Sequence, residues 1–335
     1  MRHRPTPRFA ALLGTLALCA LCGAVRTAAQ GDEPPVWESP FFRVHAPPEL
    51  ADSADDFGED LEIARHQAGE HWTIPLNTAI DVFIWPRESW ENLVRADPAM
   101  RDVLAFVRSG DQSMIINFQG AHRAGIERFR RTLVHEYTHA YFGRMIARWP
   151  PDAEPRRLPR WMEEGLAMAV AGESHWWSSQ QLLWQGPERM IPLMRLAENF
   201  PDNPAGMAQA YRQSADAVGF LLSERGSLTE VIDEIVDPQT GPAFLALTWE
   251  PDVVRGLEQR WHDSLRLGWR WMLIFTTGGF AWALVMVLAM FAWLRRRQTA
   301  RRKMSRWAME AEGLIPAGLD DEEQDDAIRR LIRHD

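Results

Sequence analysis

The sequence predicts an α+β domain, with a small N-terminal sheet and a mostly helical C-terminal half, followed by one transmembrane helix. Three observations lead there. Strand-like apolar runs all precede Gly125, and beyond it the apolar period turns helical and stays so. The 335 residues are 46% hydrophobic and 25% charged, a globular balance with length for one large domain or two ordinary ones. Met272–Leu294 is a 23-residue run without a charge. As a helix it would span about 34 Å, enough for a bilayer.

Residues 1–29 read as a signal peptide. Arg2, Arg4 and Arg8 precede the uncharged run Phe9–Val25, and Thr27-Ala28-Ala29 offers small residues for cleavage. An uncleaved anchor helix is the alternative, and either one exports the downstream chain. Cys19 and Cys22, the only cysteines, lie inside this segment. A mature chain would then hold neither disulfides nor cysteine–metal sites.

Residues 30–40 are polar and proline-rich, as in a linker. The ordered domain is expected over 41–264. Phe41–Val44 and Ile80–Trp85 read as strands, the second stopped by Pro86. Asp55–Trp72 has helical apolar spacing between them. Leu104–Val107 and Met114–Phe118 flank Ser109-Gly110-Asp111 as a hairpin. Ile126, Phe129, Leu133, Tyr137 and Ala140 share one face of a long helix that ends before Pro150-Pro151. Further helices are expected at Arg160–Ala171, Met207–Arg225, Leu228–Val236 and Pro251–Ser264. The transmembrane helix, 272–294, is flanked by Trp269, Trp271 and Trp293 and followed by Arg295, Arg296 and Arg297. The positive-inside rule puts that flank, and a charged tail over 295–335, in the cytoplasm. Its acidic stretch Asp320–Asp326 reads as solvated. The net charge of −9 argues against nucleic acid as a partner.

His135-Glu136-Tyr137-Thr138-His139 carries the chemistry. Histidines four residues apart project from one helix face, one turn apart, so their imidazoles can share a Zn²⁺ ion. Glu136, beside the first, is placed to take a proton from an attacking water and pass it to a leaving amine. Two surface histidines are the plainer explanation, and they would need no further ligand. One helix cannot surround a tetrahedral ion, so a ligand from a second element is required. Pro159-Arg160-Trp161-Met162-Glu163-Glu164-Gly165-Leu166-Ala167 provides it, with Glu164 25 residues beyond His139. Pro159 suits the start of a second helix.

Together, H-E-x-x-H and W-x-x-E-G-L-A resemble the gluzincin metallopeptidases, specifically peptidase MA-like domains, over about Phe41–His262. The resemblance implies a zincin fold, a zinc cofactor and peptide-bond hydrolysis. It makes Glu164 the third zinc ligand beside His135 and His139. Glu163, where many relatives have asparagine, stays open as the alternative. It implies a tyrosine or histidine to steady the oxyanion. Of the three tyrosines, Tyr137 and Tyr141 lie on the zinc helix, which leaves Tyr211 as the candidate, with His175 a lesser one. Tyr211 could equally be a packing residue. Some relatives orient a zinc histidine with an acidic residue four positions past the third ligand; here that position is Met168. The G-x-M-E-N segment of aminopeptidases is absent. Relatives bind substrate on an edge strand before the zinc helix, and Ser113–Phe118 fits by position. The expected protein is a single-pass membrane zinc peptidase acting on peptides or proteins outside the cytoplasm. Its catalytic residues would be Glu136 and Tyr211, and its metal ligands His135, His139 and Glu164. A membrane-tethered interaction or sensing module with a structural metal is the other reading.

Overall fold

A computed structural model of the chain describes residues 35–173, 182, 189–313, 323 and 326, with the backbone alone at 99, 267–278, 280, 281, 302, 305, 306, 309 and 310. The expected signal segment, His175 and nearly all of the acidic stretch lie outside the described residues. The chain divides into two units, up to Arg266 and from Leu267.

In the first unit five strands form one mixed sheet: β1 (Trp37–Glu38), β2 (Phe42–His45), β3 (Ile80–Trp85), β4 (Ala105–Val107) and β5 (Met114–Asn117), in the order β1-β2-β3-β5-β4. β2, β3 and β5 run parallel, and an antiparallel strand closes each edge. Alternation assigns the faces. Phe42, Val44, Ile80, Val82, Ile84, Met114 and Ile116 belong to the main core. Trp85 and Ile115 face the other way, into a smaller cluster with Trp90 of helix α2 (Arg87–Ala96). β5, buried at all four positions, has both faces covered and so reads as a continuous apolar run.

Helix α1 (Ala54–Gly69) brings Phe57, Leu61 and Ala64 to the main core. After the short α3 (Phe118–Ala124), Gly125 turns the chain at φ 81°, a region that glycine enters without strain. Helix α4 (Ile126–Ile146) comes next and lays Phe129, Leu133, Tyr137, Ala140 and Tyr141 into the same core. Trp72 stacks on Tyr141 with ring centroids 4.0 Å apart, and the Tyr141 hydroxyl donates to the Ile74 carbonyl at 2.7 Å. Two of the three tyrosines are thereby committed to packing.

Helices α5 (Arg160–Val170), α6 (Leu193–Glu198), α7 (Pro204–Arg225), α8 (Leu228–Val236) and α9 (Gly241–Trp249) complete the helical half. α5 packs along α7 through Gly165. A Cβ there would stand 2.5 Å from the Ser214 carbonyl oxygen and 2.5 Å from Val218 Cγ2. α8 opens on a reciprocal cap between Ser227 and Glu230. Helix α10 (Pro251–Ala311) begins in the first unit, where Val254, Leu257 and Trp261 are buried.

The mixed sheet followed by helices agrees with the α+β expectation, and the hairpin is found as β4 and β5. Two other expectations are corrected. The strand over Ser113–Phe118 is not an edge: β5 lies between β3 and β4, and β4 holds the edge. The transmembrane helix at 272–294 is also overturned, and with it the single-pass membrane anchoring and the membrane localisation. Among the described residues no helix is long and apolar enough to cross a membrane. Of that run, the side chains from Met272 to Gly278 and of Phe280 and Ala281 lie outside the described set. The continuous described part, Trp282–Leu294, is 13 residues long and meets Arg295, Arg296 and Arg297 at once. Thirteen helical residues span about 20 Å, short of a hydrocarbon core of about 30 Å. The stretch from Arg295 to Ala311 continues α10 rather than opening a tail.

Candidate metal centre

α4 turns its apolar stripe inward, so His135 and His139 fall together away from the core. Their ring centroids are 4.9 Å apart. A buried Thr138 hydroxyl donates back to the Val134 carbonyl at 2.8 Å, which consumes the one polar side chain between Tyr137 and His139. α5 enters from Pro159, whose extended backbone directs the first turn across α4.

Two consecutive glutamates on α5 then separate in direction, because successive helical residues point about 100° apart. Glu164 Oε2 reaches between the histidines, 3.3 Å from His135 Nε2 and 3.5 Å from His139 Nε2. Glu163 Oε1 meets the other nitrogen of His139, Nδ1, at 3.1 Å. His135, His139 and Glu164 form a group able to hold a metal ion, with one ligand atom from each and all three within 4.8 Å of one another. A tetrahedral ion with bonds of about 2.0–2.1 Å separates its ligand atoms by about 3.3 Å. The two Glu164 distances match that edge, so the residues present fit such an ion. Glu163 lies outside the group, on the far side of the His139 ring.

Charge is concentrated here. Burial works against a charged His135 imidazole, but the carboxylates of Glu164 and Glu173 outweigh it and raise its pKa to about 9. His139 is raised as well, against burial, by Glu163 and Glu164. Burial also opposes a charged Glu164, yet the two histidines hold its carboxyl well below the usual carboxylate range. With no cation between them, the carboxylates thus favour the protonated form of both histidines.

Glu136 sits beside the first histidine, half-buried. Burial pushes its carboxyl pKa up, and the Val107 backbone N–H at the edge of β4 donates to it. The proton-accepting candidate is thereby tied to the sheet edge.

The structure brings Tyr211 of α7 to the same place. Its ring meets Phe200 edge-on at 5.2 Å. Burial raises the phenol pKa, with the charges of Glu164, Arg160 and Glu136 close enough to influence it. Arg160 was not anticipated from the sequence. Its guanidinium lies over the Phe200 ring at 4.7 Å, its Nε is 3.6 Å from Glu164 Oε1, and it donates to the Tyr211 oxygen. Its place four residues before Glu164 was the available signal, since that spacing puts two side chains on one helix face. Glu173 was also missed. Its Oε1 is 3.5 Å from His135 Nδ1.

Comparison of the chain with protein-family models, with curated proteins and with solved structures finds no match in any of the three.

Proposed function

We propose that the protein is a zinc-dependent peptidase of gluzincin type. The observation that carries this reading is the convergence of His135, His139 and Glu164 with Glu136 and Tyr211 beside the β4 edge of the sheet. A zinc ion held by the three ligands would polarise a peptide carbonyl and lower the pKa of a water molecule.

The chain's own residues supply the rest. Glu136, its carboxyl pKa raised by burial, accepts a proton on its carboxylate during attack and returns it to the departing amine. The Val107 N–H holds that carboxylate in place, limiting its rotation between the two transfers. Tyr211 stays a neutral phenol at working pH because its pKa is raised, so its hydroxyl can donate to a developing oxyanion. Arg160 steadies both the Tyr211 oxygen and Glu164 Oε1.

Substrate would add to β4. Across the β4–β5 ladder Asn117 N–H donates to the Leu104 carbonyl and Arg108 N–H to the Ser113 carbonyl, so by alternation the main-chain groups of Val107 turn away from β5. An extended peptide along that edge would pass over Glu136, with main-chain hydrogen bonds setting its register.

The test is zinc content and cleavage of a mixed peptide library by the full chain and by Glu136→Gln. About one zinc per chain in both, with cleavage by the wild type alone, supports the reading. Zinc bound without cleavage by either would make the centre structural and the protein an interaction module.

A further inference from the structure

Position 168, where some members of the resembled family carry an acidic residue, is methionine here. The structure supplies a carboxylate by another route. α5 ends at Val170 in a left-handed turn: Gly172 has φ +64°, its N–H donates to the Ala169 carbonyl at 3.2 Å, and the Glu173 N–H donates to the Met168 carbonyl at 2.9 Å. This pair of bonds is a Schellman cap. It reverses the chain immediately after the helix and brings Glu173 back alongside α4. The side chain is only partly exposed, and its Oε1 lies 3.5 Å from His135 Nδ1. That nitrogen is buried, and as it stands the Glu173 contact is too long or poorly aligned to satisfy it fully. A buried N–H left unpaired is costly, and a histidine ligand ordinarily gives its second nitrogen's proton to a carboxylate or carbonyl.

We infer that Glu173, delivered by the Gly172 turn, is the positioning residue for His135. It accepts the Nδ1 proton, which directs Nε2 toward Glu164. Each ligand histidine then has its own glutamate: Glu163 on His139 and Glu173 on His135. A carboxylate behind each ring also raises the basicity of the ligating nitrogen. The inference rests on the metal-site reading proposed above.

The experiment uses the full chain. Zinc affinity is measured by chelator competition for the wild type and Glu173→Gln, and the imidazole N–H resonances of the zinc-loaded wild type are recorded. Expected is a loss of about 10–100-fold in zinc affinity in Glu173→Gln. In the wild type, the His135 Nδ1 proton should be shifted downfield and protected from exchange. Glu173→Gln should lose that signal, with the His139 resonance unmoved. Affinity within twofold of wild type would overturn the inference. So would a rapidly exchanging His135 Nδ1 proton in the wild type, which decides the matter even if the variant does not fold. A wild type that binds no zinc would instead sink the metal-site reading, and this inference with it.

Discussion

His139 is held between two consecutive glutamates, with Glu163 Oε1 3.1 Å from Nδ1 and Glu164 Oε2 3.5 Å from Nε2. One ring thus separates two carboxylates that adjoin in sequence into two jobs. Glu164 belongs to the group that can hold an ion, and Glu163 orients the ring. Removing them should have unequal effects. Glu164→Ala is expected to weaken zinc binding by more than about 100-fold, and Glu163→Gln by about 10-fold. Chelator competition measures both, and equal losses would refute the division.

Glu136→Gln should retain zinc and fold. The amide keeps its size but cannot accept a proton, so peptide cleavage should fall by about 10²–10⁴-fold. Turnover of a fluorogenic peptide, read beside metal content, checks this. Cleavage within tenfold of wild type would remove Glu136 from the role.

Tyr211→Phe tests oxyanion support. Loss of one donor there should lower kcat by about 10²–10³-fold with little change in KM or zinc affinity. A change in KM alone would make Tyr211 a binding or packing residue.

Metal-free protein should lose stability as pH rises. The His135 pKa is raised from 6.5 to about 9 by Glu164 and Glu173 against burial, so its ion pairs contribute fully below pH 6.5 and are lost through about pH 9. At the acid end Glu164, whose pKa is lowered, contributes above its unfolded value of 4.5, and that contribution fades as pH falls below it. Zinc must displace the histidine protons, so its affinity should climb over the pH 6.5–9 window where metal-free stability falls. Thermal melting with and without zinc between pH 6 and pH 9.5 reads both trends. A metal-free melting temperature that rises across the window would contradict the ion pairs.

Gly165→Ala should destabilise the fold by about 1–3 kcal/mol. The added methyl meets a backbone carbonyl of α7, which cannot turn aside as a flexible side chain can. Denaturant unfolding gives the value. An unchanged midpoint would mean that α5 and α7 shift apart freely.

Much of the helical half was legible in local pattern. Leu228–Val236 and Ile80–Trp85 agree residue for residue with the observed elements, because capping serine, apolar period and a stopping proline are local signals. α2, α6 and α9 were not read from the sequence. Each is ten residues or fewer and buries at most three side chains, too few turns for a periodic stripe. The strand order escaped as well. Ser113–Phe118 precedes the α4 region in sequence, which made it resemble an edge, but pairing partners are set by tertiary packing. Over 272–294 the uncharged run alone suggests a span, but the described apolar part is too short to cross a bilayer.

By itself the sequence determined the ligand types and their helical spacing. A four-residue interval puts His135 and His139 on one face of any α-helix, and Pro159 starts a second helix wherever it lies. It could not decide which of Glu163 and Glu164 points between the histidines. That depends on the angle at which α5 crosses α4, which the close approach of α5 to α7 at Gly165 constrains. Nor could it place Arg160, Val107 or Glu173 at the centre. Those three come from a helix start, a strand edge and a helix end, and only the packing of the first unit brings such distant termini within hydrogen-bonding reach.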